Sequence, residues 1–418
     1  MSYESSRLMA ASLKAIGIEG RVLPPSDHHT VALGKKHTSG DECYPQAITL
    51  GGFLTVLQEP GFDPKKAAFL MPQAGGPCRF GQYSVLIEKI LKNLGYPEVL
   101  VFSPRGEDSY DQFGEEGKGF ARIAWRAVVV SDILRKLTLK TRPYEVERGT
   151  TDRVYQQSLD ELCEAMSYQA EPKDHMAGLL ETLNRMRDRF RGIPCQYDRE
   201  RPLIGVVGEI YCRLDTFANE EIVRVIEAQG GEAWMADVSE WIWYTNFRQQ
   251  EIIRKSDGAL SKKMLISMIK NRVQKSDEHT MMKIFHEDFA GYEEPEKAEV
   301  VLKRSLPYLP YYGSHGEMTM STGKAVYLYE KGVDGIIDVS PFTCMNGIIC
   351  EAIYPKVSRE HDQIPIKVFY FDGTRSDWDR DIGIFVELAR NYQRNKKRKR
   401  VYPRYFKNHD LLYQRAAG

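Results

Sequence analysis

The strongest constraint on the fold is an alternation. Six short runs are apolar almost throughout: AAFLM at 67–71, EVLVFSP at 98–104, LIGVVGEI at 203–210, EAWMADV at 232–238, GVDGIIDVS at 332–340 and IPIKVFYFDG at 364–373. Stretches with helical periodicity separate them. A strand buried on both faces reads as a continuous apolar run, and parallel strands need a crossover, usually a helix, between them. The pattern predicts an α/β chain whose parallel sheets are flanked by helices. RGIPCQYDRERP at 191–202 is polar and proline-containing and reads as a linker. The expectation is therefore two Rossmann-like domains. The first covers 1–200 and carries a helical extension from about Phe120 to Arg191. The second covers 201–418, with a charged helical insertion at about 246–305 and a basic tail from Arg394. Residues 4–16 read as an amphipathic helix and GRVLPP at 20–25 as a short strand. A chain of α/β units that opens on a helix lacks the strand that usually comes first; a partner could supply it, or the chain could correspond to the later part of a longer one.

The bulk numbers narrow the class. The chain has 418 residues, 42% hydrophobic and 28% charged, as expected of a soluble globular protein of two or three domains. Its formal net charge is zero, so no global field favours nucleic acid or a membrane surface. No apolar run approaches the ~20 residues that span a bilayer. The first residues, MSYESSRLMAASLKAIGIEG, lack the basic and apolar blocks of a secretory signal. A cytoplasmic location is expected. The tail holds NKKRKR followed by Tyr402, Tyr405 and Phe406. It reads as a solvated terminus or docking arm, and a nucleic-acid partner is not expected.

Seven cysteines, an odd number at long spacings, do not suggest a disulfide framework. Three of them share one kind of address. Cys43 in HTSGDECYPQAI, Cys78 in AGGPCRFGQY and Cys344 in DVSPFTCMNGII each fall where a helix is about to start. Cys78 and Cys344 also directly follow predicted strands, and ligands of open α/β sheets bind in the crevice beyond the strand C-termini. Unpaired amides and the positive end of a helix dipole stabilise an anion, and the same field is expected to lower a thiol pKa. Gly75, Gly76 and Gly81 would let the backbone approach a bulky group, and their amides could hydrogen-bond to sulfides. Cys212, after the 203–210 run, is a weaker fourth candidate. Cys163 has the spacing of a core residue, Cys195 sits in the linker, and Cys350 faces away from Cys344 on the same helix.

KHTSGDECYP, MPQAGGPCRFGQY, GEIYCRLDTFANEE and DGIIDVSPFTCMNG resemble the acyl-CoA dehydratase activase-related family. That family is related to the 2-hydroxyacyl-CoA dehydratase and benzoyl-CoA reductase subunits and to double-cubane cluster proteins. The resemblance runs along nearly the whole chain. It implies an iron–sulfur protein with its cluster in the crevice between two Rossmann-like domains, ligated by Cys43, Cys78 and Cys344. Three thiolates on a [4Fe-4S] cluster would leave one iron open, and a double-cubane cluster would need further ligands. The family pattern carries aliphatic residues at the positions of Cys212 and Cys350. The family also has a strand and an aspartate-containing loop before the first helix, and this chain departs from it by opening on that helix. The resemblance further implies a partner, an ATP-dependent activase of the actin/Hsp70/sugar-kinase fold. The activase would pass low-potential electrons to the cluster for reduction or dehydration of a substrate the sequence does not name. A homo-oligomer or a related subunit is also expected.

Other residues could act nearby. Glu209 and Arg213 flank the loop after the 203–210 run, and Asn219 opens the next helix or caps it. Arg79, beside Cys78, could hold an anion. His315 and Glu317, in YYGSHGEMTMSTGKA, are candidates for acid–base work. GSHGEMTMSTGK lacks the GxxxxGK[ST] spacing, so no ATP site is expected in this chain. Two other readings stay open: a non-catalytic structural subunit of a dehydratase-like complex, and a zinc-binding protein using the same thiolates with a histidine.

Overall fold

The computed structural model describes residues 2–73, 78–104, 119–169, 172–197, 200–310, 316–374, 376–403 and 406. The first half runs α1 (Tyr3–Lys14), α2 (His28–Lys35), α3 (Tyr44–Leu57), β1 (Ala68–Leu70), α4 (Tyr83–Asn93), β2 (Leu100–Phe102), α5 (Phe120–Thr141), α6 (Thr150–Ser167) and α7 (Pro172–Arg191). The second half runs β3 (Leu203–Gly208), α8 (Ile210–Leu214), α9 (Ile222–Ala228), β4 (Glu232–Met235), α10 (Val238–Ser256), α11 (Lys262–Met282), α12 (Ala298–Ser305), α13 (Glu317–Glu330), β5 (Gly335–Pro341), α14 (Met345–Glu360), β6 (Ile366–Phe371) and α15 (Trp378–Asn395).

The six apolar runs all become strands, and every pairing is parallel. β1 and β2 form a two-stranded sheet, and the other four lie in the order β4-β3-β5-β6. From β3 the chain moves to one side, to β4, and from β5 to the other, to β6. The crevice beyond the C-termini of β3 and β5 is therefore the topological switch point, where such sheets bind ligands. Two expectations are corrected. GRVLPP is not a strand: Pro24 and Pro25 offer no ladder donors, and Gly20 packs directly on the backbone of Ala10 in α1. The helical insertion begins at Val238, because α10 continues straight from the end of β4.

α5 is buried nearly all round, which is why its sequence shows little amphipathic contrast. It packs on α1, α6, α11 and β4. Its buried charges are paired: Arg126 with Asp277, Arg135 with Glu4 and Asp132, and Lys136 with Asp237 and Glu294. One apolar core runs from Leu8 through α5, α6 and α7 to Met281 and Phe285. Another joins Val31, Tyr44 and Ile48 to Ile204, Val339 and Phe371 of the four-stranded sheet. The basic tail is not a solvated arm over its described part. Lys396 is buried against Asp334 at 2.6 Å, and Arg400 against Glu232 at 2.8 Å. Among the described residues no helix is long and apolar enough to cross a membrane.

One buried carboxyl on the α10–α11 hairpin yields a pH prediction. Glu278 accepts the Trp243 indole N–H at 3.0 Å. Burial pushes its pKa up to about 7, and the indole acts the other way. The folded state thus binds this proton more tightly than the unfolded chain. Stability from this group is whole below the ordinary glutamate range and is lost as pH rises through about 7. Glu278→Gln is expected to match the parent at pH ~4 and to exceed it by about 2 kcal/mol at pH ~8. Urea melts at the two pH values measure this, and equal differences at both would refute it.

Candidate functional site

Cys43, Cys78 and Cys344 are the N-cap residues of α3, of the short 3-10 turn Arg79–Gln82 that leads into α4, and of α14. All three have extended backbones, and none closes a capping hydrogen bond through its thiol. The amides of Gln46, Phe80, Asn346 and Gly347 nevertheless favour their thiolates. The structure brings the three loops together. The Arg79 guanidinium donates from Nη1 to the carbonyl of Asp41 and from Nη2 to the carbonyl of Thr343, at 2.6 Å for the latter. One side chain, next to Cys78, thus ties the loops that lead into Cys43 and Cys344. The Tyr83 hydroxyl, from the first turn of α4, contacts the Cys43 sulfur.

The floor of the crevice comes from β3 and β5. Gly208 ends β3 at φ 111°, and Glu209 N donates to Val339 O at 2.9 Å. Glu209 caps α8 by accepting from the amides of Tyr211 and Cys212 at 2.9 and 2.8 Å. Glu317, at the start of α13, accepts from the Ile210 amide at 2.9 Å. Glu209 influences Cys43, Cys78 and Cys344, and Glu317 influences Cys78 and Cys344. The turn into Cys344 passes through Thr343 at φ 64°, a left-handed conformation costly for a β-branched residue. Strain of this kind concentrates where a site demands a particular aim.

The helix N-termini were expected to lower the thiol pKa values, and this is corrected. Burial outweighs the amides: it raises Cys43, pushes Cys78 up to about 11 and Cys344 up to about 12. Burial likewise raises Glu209 and Glu317. Burial thus disfavours the charged forms of these thiols and carboxyls, so metal binding at the thiols would release protons. Orphaned buried polar atoms lie on the same elements: the side-chain amide of Gln46 on α3 and Oδ1 of Asn346 on α14. Among the described residues no three His, Cys, Asp or Glu side chains converge as one metal ion requires. A single zinc would need such convergence, at Zn–S ~2.3 Å. A cubane instead takes one thiolate at each of several irons.

The remaining candidates fall out as follows. Gly76 and His315, with Gly75, lie outside the described residues. The Gly81 amide is engaged by Cys78 O at 3.1 Å, so it is not free for a sulfide. Arg79 clamps loops with its two terminal nitrogens. Cys212 is fully buried in the core beneath the sheet. Cys350 packs in a separate core against Met318 and Thr322. Cys163 and Cys195 border the helical core. All seven cysteines are free. Asn219 neither opens nor N-caps α9, whose N-cap is Glu221; from the preceding turn its Oδ1 accepts the Ile222 amide at 3.3 Å and its Nδ2 donates to the carbonyls of Cys212 and Arg213, tying α8 to α9. Tyr83 and the strained Thr343 were not legible in advance, since no spacing links Tyr83 to a thiol 40 residues away. Compared with models of known protein families and with curated proteins, the chain matches none.

Proposed function

We propose that this chain is an iron–sulfur protein of two Rossmann-like domains. In this reading Cys43, Cys78 and Cys344 hold a [4Fe-4S] or double-cubane cluster in the crevice beyond β3 and β5. A separate ATP-dependent activase delivers low-potential electrons, and the chain reduces or dehydrates a substrate at this centre. The observation that carries the reading is the Arg79 clamp, which joins three cysteine-bearing helix starts at a topological switch point. The family resemblance of the motifs around those cysteines supports it.

When bound, the cluster supplies one-electron transfer. The chain's own residues do the rest. Helix-start amides favour the thiolates, of which Cys344 is buried and Cys43 and Cys78 half-buried. Tyr83 fixes the Cys43 sulfur. Glu209 and Glu317 are the crevice carboxyls able to hold or release a proton, each oriented by a backbone amide. A structural-subunit reading has one observation on its side. The outer face of α11 exposes Leu265, Ile266, Met268 and Ile269, each more than half exposed. Anaerobic purification with iron and sulfide analysis and an absorption spectrum tests the main reading. Broad absorption with stoichiometric iron is expected, and a colourless, iron-free chain after reconstitution would overturn it. Turnover that requires both ATP and an activase separates catalyst from scaffold.

A further inference from the structure

A second feature of the switch point is a buried cation without a hydrogen-bonding partner. Arg213, on α8, is only 7% exposed. Among the described residues its guanidinium makes no ion pair or hydrogen bond, and its Nε is buried and unsatisfied. The carboxyls around it are engaged elsewhere. Both oxygens of Glu209 accept backbone amides, Glu317 accepts the Ile210 amide, and Glu240 accepts Lys324 Nζ at 2.5 Å. The guanidinium favours the charged forms of Glu209 and Glu317 through space, against the larger effect of their burial. The carboxyls do not satisfy its fork of five N–H donors. Buried charges are normally paired and hydrogen-bonded, so this arrangement asks for a ligand.

Arg213 lines a narrow cavity of ≈ 20 Å³ with Gly208, Glu240, Trp241, Glu317 and Lys324. That exceeds the ~10–15 Å³ one water needs and suits a small polar head. We infer that Arg213 anchors a carboxylate subsite in this cavity. A guanidinium fork matches the two oxygens of a carboxylate. Asp237, Glu240 and Glu317 line the same space, so a second negative charge, as on phosphate, meets repulsion. Trp241 and Met320 give the wall an apolar part against which a short carbon chain packs. Glu317 belongs both to this cavity and to the surroundings of Cys78 and Cys344. The pocket stands on its own geometry. Its service as the place where a substrate carboxylate is held beside the thiols rests on the reading of the thiol site given above.

The test titrates isotope-labelled acetate and propionate into the full chain and follows line broadening of the carboxyl signal. Inorganic phosphate and chloride serve as competitors, and iron is assayed on the same sample. Saturable binding is expected, weakened roughly tenfold or more in Arg213→Lys and Arg213→Met, with phosphate a poor competitor. Arg213→Lys keeps the charge and loses the fork, and circular dichroism verifies that it folds. Three results overturn the assignment: no saturable binding, which leaves a water-filled cavity; phosphate competing as well as acetate; or binding unchanged in a folded Arg213 variant. Carboxylate binding by an iron-free chain would keep this subsite while removing the cluster reading. Iron without carboxylate binding would do the reverse.

Discussion

Serine in place of Cys78 is expected to leave the anaerobically purified chain with only a small fraction of its iron. A cubane would give about four irons per chain and a double cubane about eight, with broad visible absorption in either case. Cys78 caps the turn before α4, and its neighbour Arg79 holds the other two cysteine loops in place. The serine hydroxyl has nearly the same shape but is a harder, far less acidic ligand, so the fold is retained and the soft iron site is not. Cys43→Ser and Cys344→Ser are expected to behave in the same way. Cys163→Ser and Cys350→Ser serve as controls, because both thiols pack in apolar cores away from the crevice. Their iron content is expected to equal that of the parent. Loss of iron in the controls to the same degree would point to general destabilisation. Undiminished iron in all three cap variants would exclude these residues as the ligands.

Alanine at Gly208 is expected to destabilise the fold by about 3 kcal/mol or more, combining left-handed backbone strain with overpacking. Gly208 has φ 111°, and a Cβ there would lie 2.6 Å from the Asp338 carboxylate and closer still to the Val339 backbone. Those atoms belong to the neighbouring strand and cannot move without breaking the β3–β5 ladder. Gly95 is the comparison: its φ is 86°, but nothing lies within 4 Å of a built Cβ. Gly95→Ala should therefore cost only about 1–2 kcal/mol, the backbone part alone. Urea denaturation of both variants measures the difference. Equal losses would mean that the close approach of β3 and β5 at the crevice floor relaxes readily. A Gly208 variant that folds but loses iron would tie the floor to the thiol site.

Much of this architecture was written in local sequence. The six apolar runs became six parallel strands; β3, β4 and β5 are buried on both faces, which leaves little choice of composition, while β1, β2 and β6 keep part of one face open. The addresses of Cys43, Cys78 and Cys344 at helix starts were equally local, set by turn residues and by the end of the preceding strand. GRVLPP has the apolar content of a strand but forms none, because its two prolines supply no ladder donors. The basic tail misled for a different reason. Charge reads as solvation until a buried counter-charge is known, and Asp334 and Glu232 lie 62 and 168 residues away from the lysine and arginine they bind.

Only the tertiary structure decided the electrostatics of the crevice. A helix start favours a thiolate wherever it occurs, but burial acts over every neighbour at once, and here it wins at all three cysteines. The Arg79 clamp, the Tyr83 contact and the unpartnered Arg213 likewise depend on segments far apart in the chain. Sequence by itself determined the elements and where the thiols sit along them, because those follow from near neighbours and from side-chain period. Which elements meet, and how much water remains between them, follows from packing over the whole molecule.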